Sequence, residues 1–140
     1  MGRMGNTFGS QTVSAGHARK IWCEVKDQFP VGGKVANLSD WLSGGVGKIP
    51  AGTFCKWEDE GANGGKKVTC YTNAQIKAAS GNPASLGING ATLYDIDIEA
   101  GETVGTATVI YAGEIYSYMI DADVLTIVKG IAALSEIKFV

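Results

Sequence analysis

Apolar and polar residues alternate with a period of two along most of the chain, and a period near 3.6 appears only towards its end. Ile21, Cys23 and Val25 alternate with Trp22, Glu24 and Lys26 and predict a first strand. Phe29-Pro30-Val31-Gly32-Gly33 predicts a turn, Lys34 to Leu38 a short strand, and Trp41 to Gly47 a loop holding an aromatic side chain. The sharpest local signal lies between Thr53 and Thr72. Antiparallel pairing there sets Phe54 opposite Tyr71, Cys55 opposite Cys70, Trp57 opposite Val68, Glu58 opposite Lys67 and Asp59 opposite Lys66. Apolar side chains meet apolar ones and opposite charges meet, as cross-strand energetics favours. One face of this hairpin, with Cys55, Trp57, Val68 and Cys70, is assigned to the core, and the glycine-rich loop from Glu60 to Gly65 to solvent.

Asn73 predicts the cap of a short helix from Ala74 to Ala79, stopped by Ser80-Gly81-Asn82-Pro83. Tyr94, Ile96 and Ile98 alternate with Asp95 and Asp97 and predict a strand with one wet face, followed by a turn at 99–102. Thr106 to Tyr111 is rich in β-branched residues, and Ala112-Gly113 predicts a tight hairpin onto Glu114 to Ile120. Val124, Leu125, Ile127, Val128 and Ile131 follow the helical period, so Asp121 to Ala133 reads as an amphipathic helix capped by Asp121. Glu136 to Val140 predicts a closing strand.

With 140 residues the chain has room for one domain with a real core. Its 20 glycines and only 3 prolines favour a turn-rich β domain over a low-complexity tract. Residues 1–19 are polar and glycine-rich, with scattered apolar positions such as Phe8 and Val13, and read as a flexible arm; residues 20–140 read as a single β-rich domain. The net charge of −2 lacks the basic surplus of a sequence-independent nucleic-acid binder. The distribution is uneven: residues 1–50 hold six Lys/Arg against three Asp/Glu, whereas 51–140 hold six against eleven. No apolar run is long enough to span a membrane, and the start from Met1 to Thr7 lacks the apolar core of a secretory signal. Cys23, Cys55 and Cys70 form neither a disulfide framework nor a zinc pattern, and the expectation is reduced thiols in a protein made in the cytoplasm.

Candidate chemistry is sparse. His17, the one histidine, falls in the arm, away from the rigid setting that a catalytic imidazole needs. Gly44-Gly45-Val46-Gly47-Lys48-Ile49 fails as a phosphate loop, because Leu42 stands where the first glycine belongs and Ile49 where Ser or Thr belongs. Asp95, Asp97, Glu99 and Glu102 are the only acid cluster, and their spacing of two is what an exposed strand face produces by itself. Asn37-Leu38-Ser39 is a formal glycosylation sequon. Trp22, Trp41, Tyr94, Tyr111, Tyr116 and Tyr118 suit stacking on sugars or bases, or packing in a core or subunit contact. The expectation is a non-enzymatic protein with no cofactor, no metal and no small-molecule substrate.

Four segments carry a resemblance: Lys48-Ile49-Pro50-Ala51-Gly52-Thr53-Phe54; the run from Ala91 to Glu102 around Asp95-Ile96-Asp97; Ala107-Thr108-Val109-Ile110-Tyr111-Ala112-Gly113-Glu114-Ile115; and the finish from Ile131 to Val140. From about Gly33 onward the chain resembles the head-decoration, cement and head-fibre proteins of tailed bacteriophages. Residues 1–32 and the segment Tyr71 to Pro83 depart from that pattern. The resemblance implies a mainly β fold, with a small β-barrel or tulip-like body, two short helices and an extended N-terminal arm. It implies a homotrimer on the outer surface of the virion head, bound to the major capsid protein and stabilising capsomer contacts, with no nucleic-acid or membrane partner. Phe8, Val13, Arg19, Trp22 and Trp41 are the expected capsid-binding residues. The alternative is a carbohydrate- or receptor-binding β module of the head-fibre kind.

Overall fold

Two stretches far apart in sequence, 22–35 and 106–115, run antiparallel along one another and organise the rest of the molecule. The computed structural model describes residues 20–43, 46–59, 65–99 and 105–140. In chain order its strands and helices are β1 (Trp22–Gln28), β2 (Gly33–Val35), β3 (Leu42–Ser43), β4 (Val46–Ile49), β5 (Phe54–Asp59), β6 (Lys66–Cys70), α1 (Asn73–Ala78), β7 (Gly90–Thr92), β8 (Ile96–Ile98), β9 (Thr106–Ala107), β10 (Val109–Ile115), α2 (Ala122–Val128) and β11 (Ile137–Phe139).

The main sheet runs β9-β2-β6-β5-β7-β10-β11, with β1 on the other edge of β10. Because only Thr108 separates β9 from β10, the pairings return to the stretch they started from. The sheet therefore curls into a small β-barrel, with β2–β6 and β10–β11 as its parallel pairs and the other neighbours antiparallel. A second sheet, β3-β4-β8, sits beside it.

Barrel strands are buried on both sides, and neighbouring residues point to different cores. Val35, Cys55, Val68, Cys70, Ala107 and Val109 form the inner cluster, joined by Leu38, Ile49 and Ile98. The small size of these side chains suits the narrow interior of a barrel with few strands. Phe54 and Ile110, each next in sequence to an inner residue, and Ala91, which pairs with both, face an outer cluster with Ile76 of α1, Val124 and Val128 of α2, and Ile137 of β11. Each fully buried Val, Ile or Phe contributes about 1.5–3 kcal/mol, so both layers hold the wall in place.

The β5–β6 hairpin has the predicted register without a shift, from Cys55 opposite Cys70 to Asp59 opposite Lys66. Cys55, Val68 and Cys70 are fully buried, and Trp57 is half-buried at the barrel's end, stacked on Phe29 with ring centroids 4.3 Å apart. The predicted exposed loop, 60–65, lies outside the described residues except for Gly65. The closing strand is present and pairs parallel with β10.

Other expectations change. The first strand forms, but Cys23 and Val25 are exposed and the buried residues are Ile21 and Trp22 at its start. β1 is an outer strand, so its alternation has no core to face beyond Trp22. The predicted strand from Lys34 to Leu38 ends at Val35 and gives way to a 3-10 turn over Leu38–Trp41, and the predicted loop after Trp41 pairs as β3 and β4. The helix cap is Thr72 rather than Asn73: its hydroxyl accepts from Gln75 N–H (3.2 Å), and the Gln75 side chain accepts from Thr72 N–H (2.9 Å). Tyr94 lies outside the strand Ile96–Ile98 and is exposed.

No hairpin forms at Ala112-Gly113. β10 continues through both residues because it has partners on both edges, β1 on one and β7 then β11 on the other. A Cβ on Gly113 would collide with the Glu24 carbonyl, so glycine here permits backbone contact rather than a turn. Gly47 allows a similar close approach to the Trp41 carbonyl. The last helix spans only Ala122–Val128 and is followed by a turn at Lys129-Gly130 and a 3-10 turn at Ala132–Leu134. Gly130 disfavours continuation by about 1 kcal/mol relative to Ala, and Leu134 reaches the outer cluster from outside the helix.

Candidate functional site

Of the residues expected to bind a partner, Trp22 and Trp41 are among the described residues. Phe8, Val13 and Arg19, with His17, lie outside the described residues. Trp22 is buried in the outer cluster, and its indole N–H donates to the Thr92 carbonyl at 2.9 Å. That carbonyl also accepts from Gly52 N–H at 2.7 Å. Trp41 is half-buried against the inner cluster and donates its indole N–H to the Cys70 carbonyl at 3.1 Å. Both rings are thus tied to the body by their polar edge, as buried indoles require.

Two asparagines, Asn37 of the sequon and Asn89, complete the sheet with their side chains. Asn37 donates to the Cys70 carbonyl (2.6 Å) and accepts from Cys70 N–H (3.0 Å). It also donates to Asp40, whose carboxyl is held below its ordinary range by hydrogen bonds from Asn37 and Gln75. The sequon therefore carries an amide already committed within the fold. Asn89 accepts from Trp57 N–H and donates to the Trp57 carbonyl, both at 2.8 Å, extending the β5–β7 pairing with a side chain. An Asn flanked by Gly87-Ile88 and Gly90 signals a turn, and no local pattern reveals a partner at Trp57.

Of the acid cluster, Asp95, Asp97 and Glu99 are among the described residues. Asp95 accepts from Ala51 N–H at 2.6 Å and pairs with Lys48 at 3.3 Å. Asp97 is exposed and sits opposite Lys48 in the β4–β8 register, Glu99 is exposed, and Glu102 lies outside the described residues. Asp95 is thereby an acceptor that fastens the segment leading into β5. Among the described residues no group of three or more His, Cys, Asp or Glu is placed to hold a metal ion. Cys55 and Cys70 face each other as free, buried thiols, and burial followed by the neighbouring Cys70 thiol pushes Cys55 well above the usual thiol range. Cys23 is free and exposed, and its influence, the largest on Tyr116, raises that hydroxyl above its ordinary range.

What the fold does assemble is a cleft of about 160 Å³ where the barrel meets the two helices. Trp41, Thr53, Tyr71, Asn73, Met119 and Asp121 are among the residues that line it. Asp121 caps α2 by accepting from Asp123 N–H (3.0 Å), and its other oxygen pairs with Lys77 of α1 at 3.1 Å. Those contacts, Lys77 first, hold its carboxyl below the ordinary range, so it is ionised at neutral pH. Tyr71 donates its hydroxyl to the Leu86 carbonyl at 2.7 Å, which fixes the ring. The sequence reading chose Trp41 as a functional aromatic but had no means of placing Tyr71, Asn73 and Asp121 beside it.

Among the described residues no helix is long and apolar enough to cross a membrane, which leaves strand-built spans unaddressed. Comparison with protein-family models, with curated proteins and with solved structures gives no match.

Proposed function

We propose that this protein is a structural component of a tailed-phage virion, a decoration or cement protein that binds the outer surface of the head. It is made in the host cytoplasm and acts without catalysis. Residues 1–19 engage the major capsid protein, with Phe8, Val13 and Arg19 as anchors, and Trp22 and Trp41 secure the body behind them. The body works as a homotrimer.

The observation that carries this reading is β1. Residues 1–19 lead directly into this strand, which among the described residues pairs along one edge and exposes every side chain from Cys23 to Gln28. A segment that enters a fold through an open strand is well placed to add backbone pairing on a neighbouring chain. Tyr94, Tyr118 and Val140 are exposed apolar positions suited to subunit contacts. Three copies of a weak arm then hold through effective concentration where one copy would not.

The test deletes residues 2–18 and images heads incubated with the truncated protein, while light scattering measures its mass. The reading expects a folded trimer that no longer decorates heads. Unchanged head occupancy, or a monomer of the full chain, overturns it.

A further inference from the structure

We infer that copies of this chain join edge to edge, β1 of one copy pairing antiparallel with β11 of the next, an inference that rests on the homotrimer proposed above. Copies around a threefold axis meet through two different surfaces, so each chain must present a complementary pair. One ribbon supplies both. β10 lies between β1 and β11, and among the described residues each of those strands pairs only with β10. Their outer edges, with backbone groups open to pairing, therefore lie on opposite sides of the ribbon. β1 runs antiparallel to β10 and β11 runs parallel to it. A second ribbon set alongside in the same orientation thus brings β1 against β11 antiparallel. Pairing of like edges would join copies only in twos and leave the second edge of each open.

The side chains along the two edges select one register. With Val25 opposite Ile137 of the next copy, Glu24 faces Lys138, Lys26 faces Glu136 and Cys23 faces Phe139. Opposite charges meet and apolar side chains meet, the combination that favours antiparallel pairing. Shifting the register by two residues either way sets Glu24 against Glu136 or Lys26 against Lys138, and shifting it by one turns the side chains to opposite faces. The faces agree as well. Glu24, Lys26, Glu136 and Lys138 are all exposed and border one shallow depression over Gly113, so they stand on the same side of the ribbon. None of the four makes an ion pair with another described residue of its own chain. Glu24 and Val25 pair with Glu114 and Gly113 without a shift between them, which presents a regular outer edge at the centre of the seam.

The test combines Glu24→Cys and Lys138→Cys in the full chain carrying Cys23→Ser, which removes the native exposed thiol. Within one chain these positions lie across β10, two strand spacings or about 9.5 Å apart. That exceeds the roughly 7 Å between Cα atoms that a disulfide can span. Across the seam the two positions are directly opposite. Mild oxidation of the double-cysteine variant is expected to link three chains on a non-reducing gel, whereas neither single-cysteine variant links. A second measurement reads charge without new thiols. Lys138→Glu is expected to weaken association about tenfold, measured by light scattering over a dilution series, and adding Glu24→Lys to it is expected to restore the parent's mass. Absence of cross-links in the double-cysteine variant overturns the inference. So do equal cross-links in a single-cysteine variant, or failure of Glu24→Lys to rescue Lys138→Glu. A parent trimer whose double-cysteine variant does not cross-link removes this seam and leaves the capsid reading standing. Cross-linking through these positions by a chain that never decorates heads does the reverse.

Discussion

The β5–β6 hairpin and the β1–β10 ribbon are both antiparallel pairs, yet different parts of the residue specify them. In the hairpin five successive pairs keep one register. Side chains choose it: Cys55, Val68 and Cys70 enter the inner core, and Glu58 and Asp59 meet Lys67 and Lys66. In the ribbon the register shifts three times between Ile110 and Ile115, and β1 is exposed from Cys23 to Gln28. Side-chain complementarity contributes little there. The ribbon is set by backbone fit at Gly113 and by Ile21 and Trp22, which anchor its start in the outer cluster. Pairing between near neighbours is thus written in side chains, whereas pairing between distant segments depends on where backbone can approach backbone.

The strongest challenge to this contrast is Gly113→Val. The new side chain meets the Glu24 carbonyl, and a carbonyl in a paired strand has little freedom to move aside. A loss of about 3 kcal/mol in urea unfolding is expected, the upper part of the usual overpacking range. An unchanged midpoint would show that the ribbon does not rely on that contact. Asn89→Ala comes next and probes the hairpin's other edge. It leaves the Trp57 N–H and carbonyl without their side-chain partner, at a cost of about 2 kcal/mol by the same measurement.

The cysteines compare the two regions with one chemistry. Cys55→Ser places a hydroxyl in the apolar barrel interior and is expected to cost about 1–2 kcal/mol. Cys23→Ser on the exposed strand should stay within about 0.5 kcal/mol of the parent. A thiol reagent should accordingly modify Cys23 in the native protein and reach Cys55 and Cys70 only on unfolding. The smallest effect belongs to Glu58→Gln. Hydrogen bonding to Lys56 is the largest influence holding the Glu58 carboxyl below its ordinary value of 4.5, with the charges of Lys56 and Lys67 acting in the same direction against desolvation. Its contribution is therefore present above pH 4.5 and lost as pH falls through the lower folded value. Parent and variant should differ slightly at pH 7, converge in acid, and converge also in high salt.

Segments whose partners lie close in sequence were legible. The hairpin declared its register through five compatible pairs, Asp121 declared a helix start, and Ile137 to Phe139 declared a strand. The mainly β class followed from the same patterns. The site was less legible: Trp41 stood out as an aromatic, but the Asn73 and Asp121 that share its cleft come from other segments.

Sequence alone determined the mainly β class, the β5–β6 register and the starts of the last helix and the closing strand, because those choices depend on propensity and on side chains a few residues apart. Tertiary structure decided the closure of the barrel through Thr108, the straight course of β10 past Ala112 and Gly113, and the assembly of the cleft. Each of these rests on backbone groups meeting across dozens of residues. A carbonyl looks the same in every residue, so no local pattern of side chains records which one it will face.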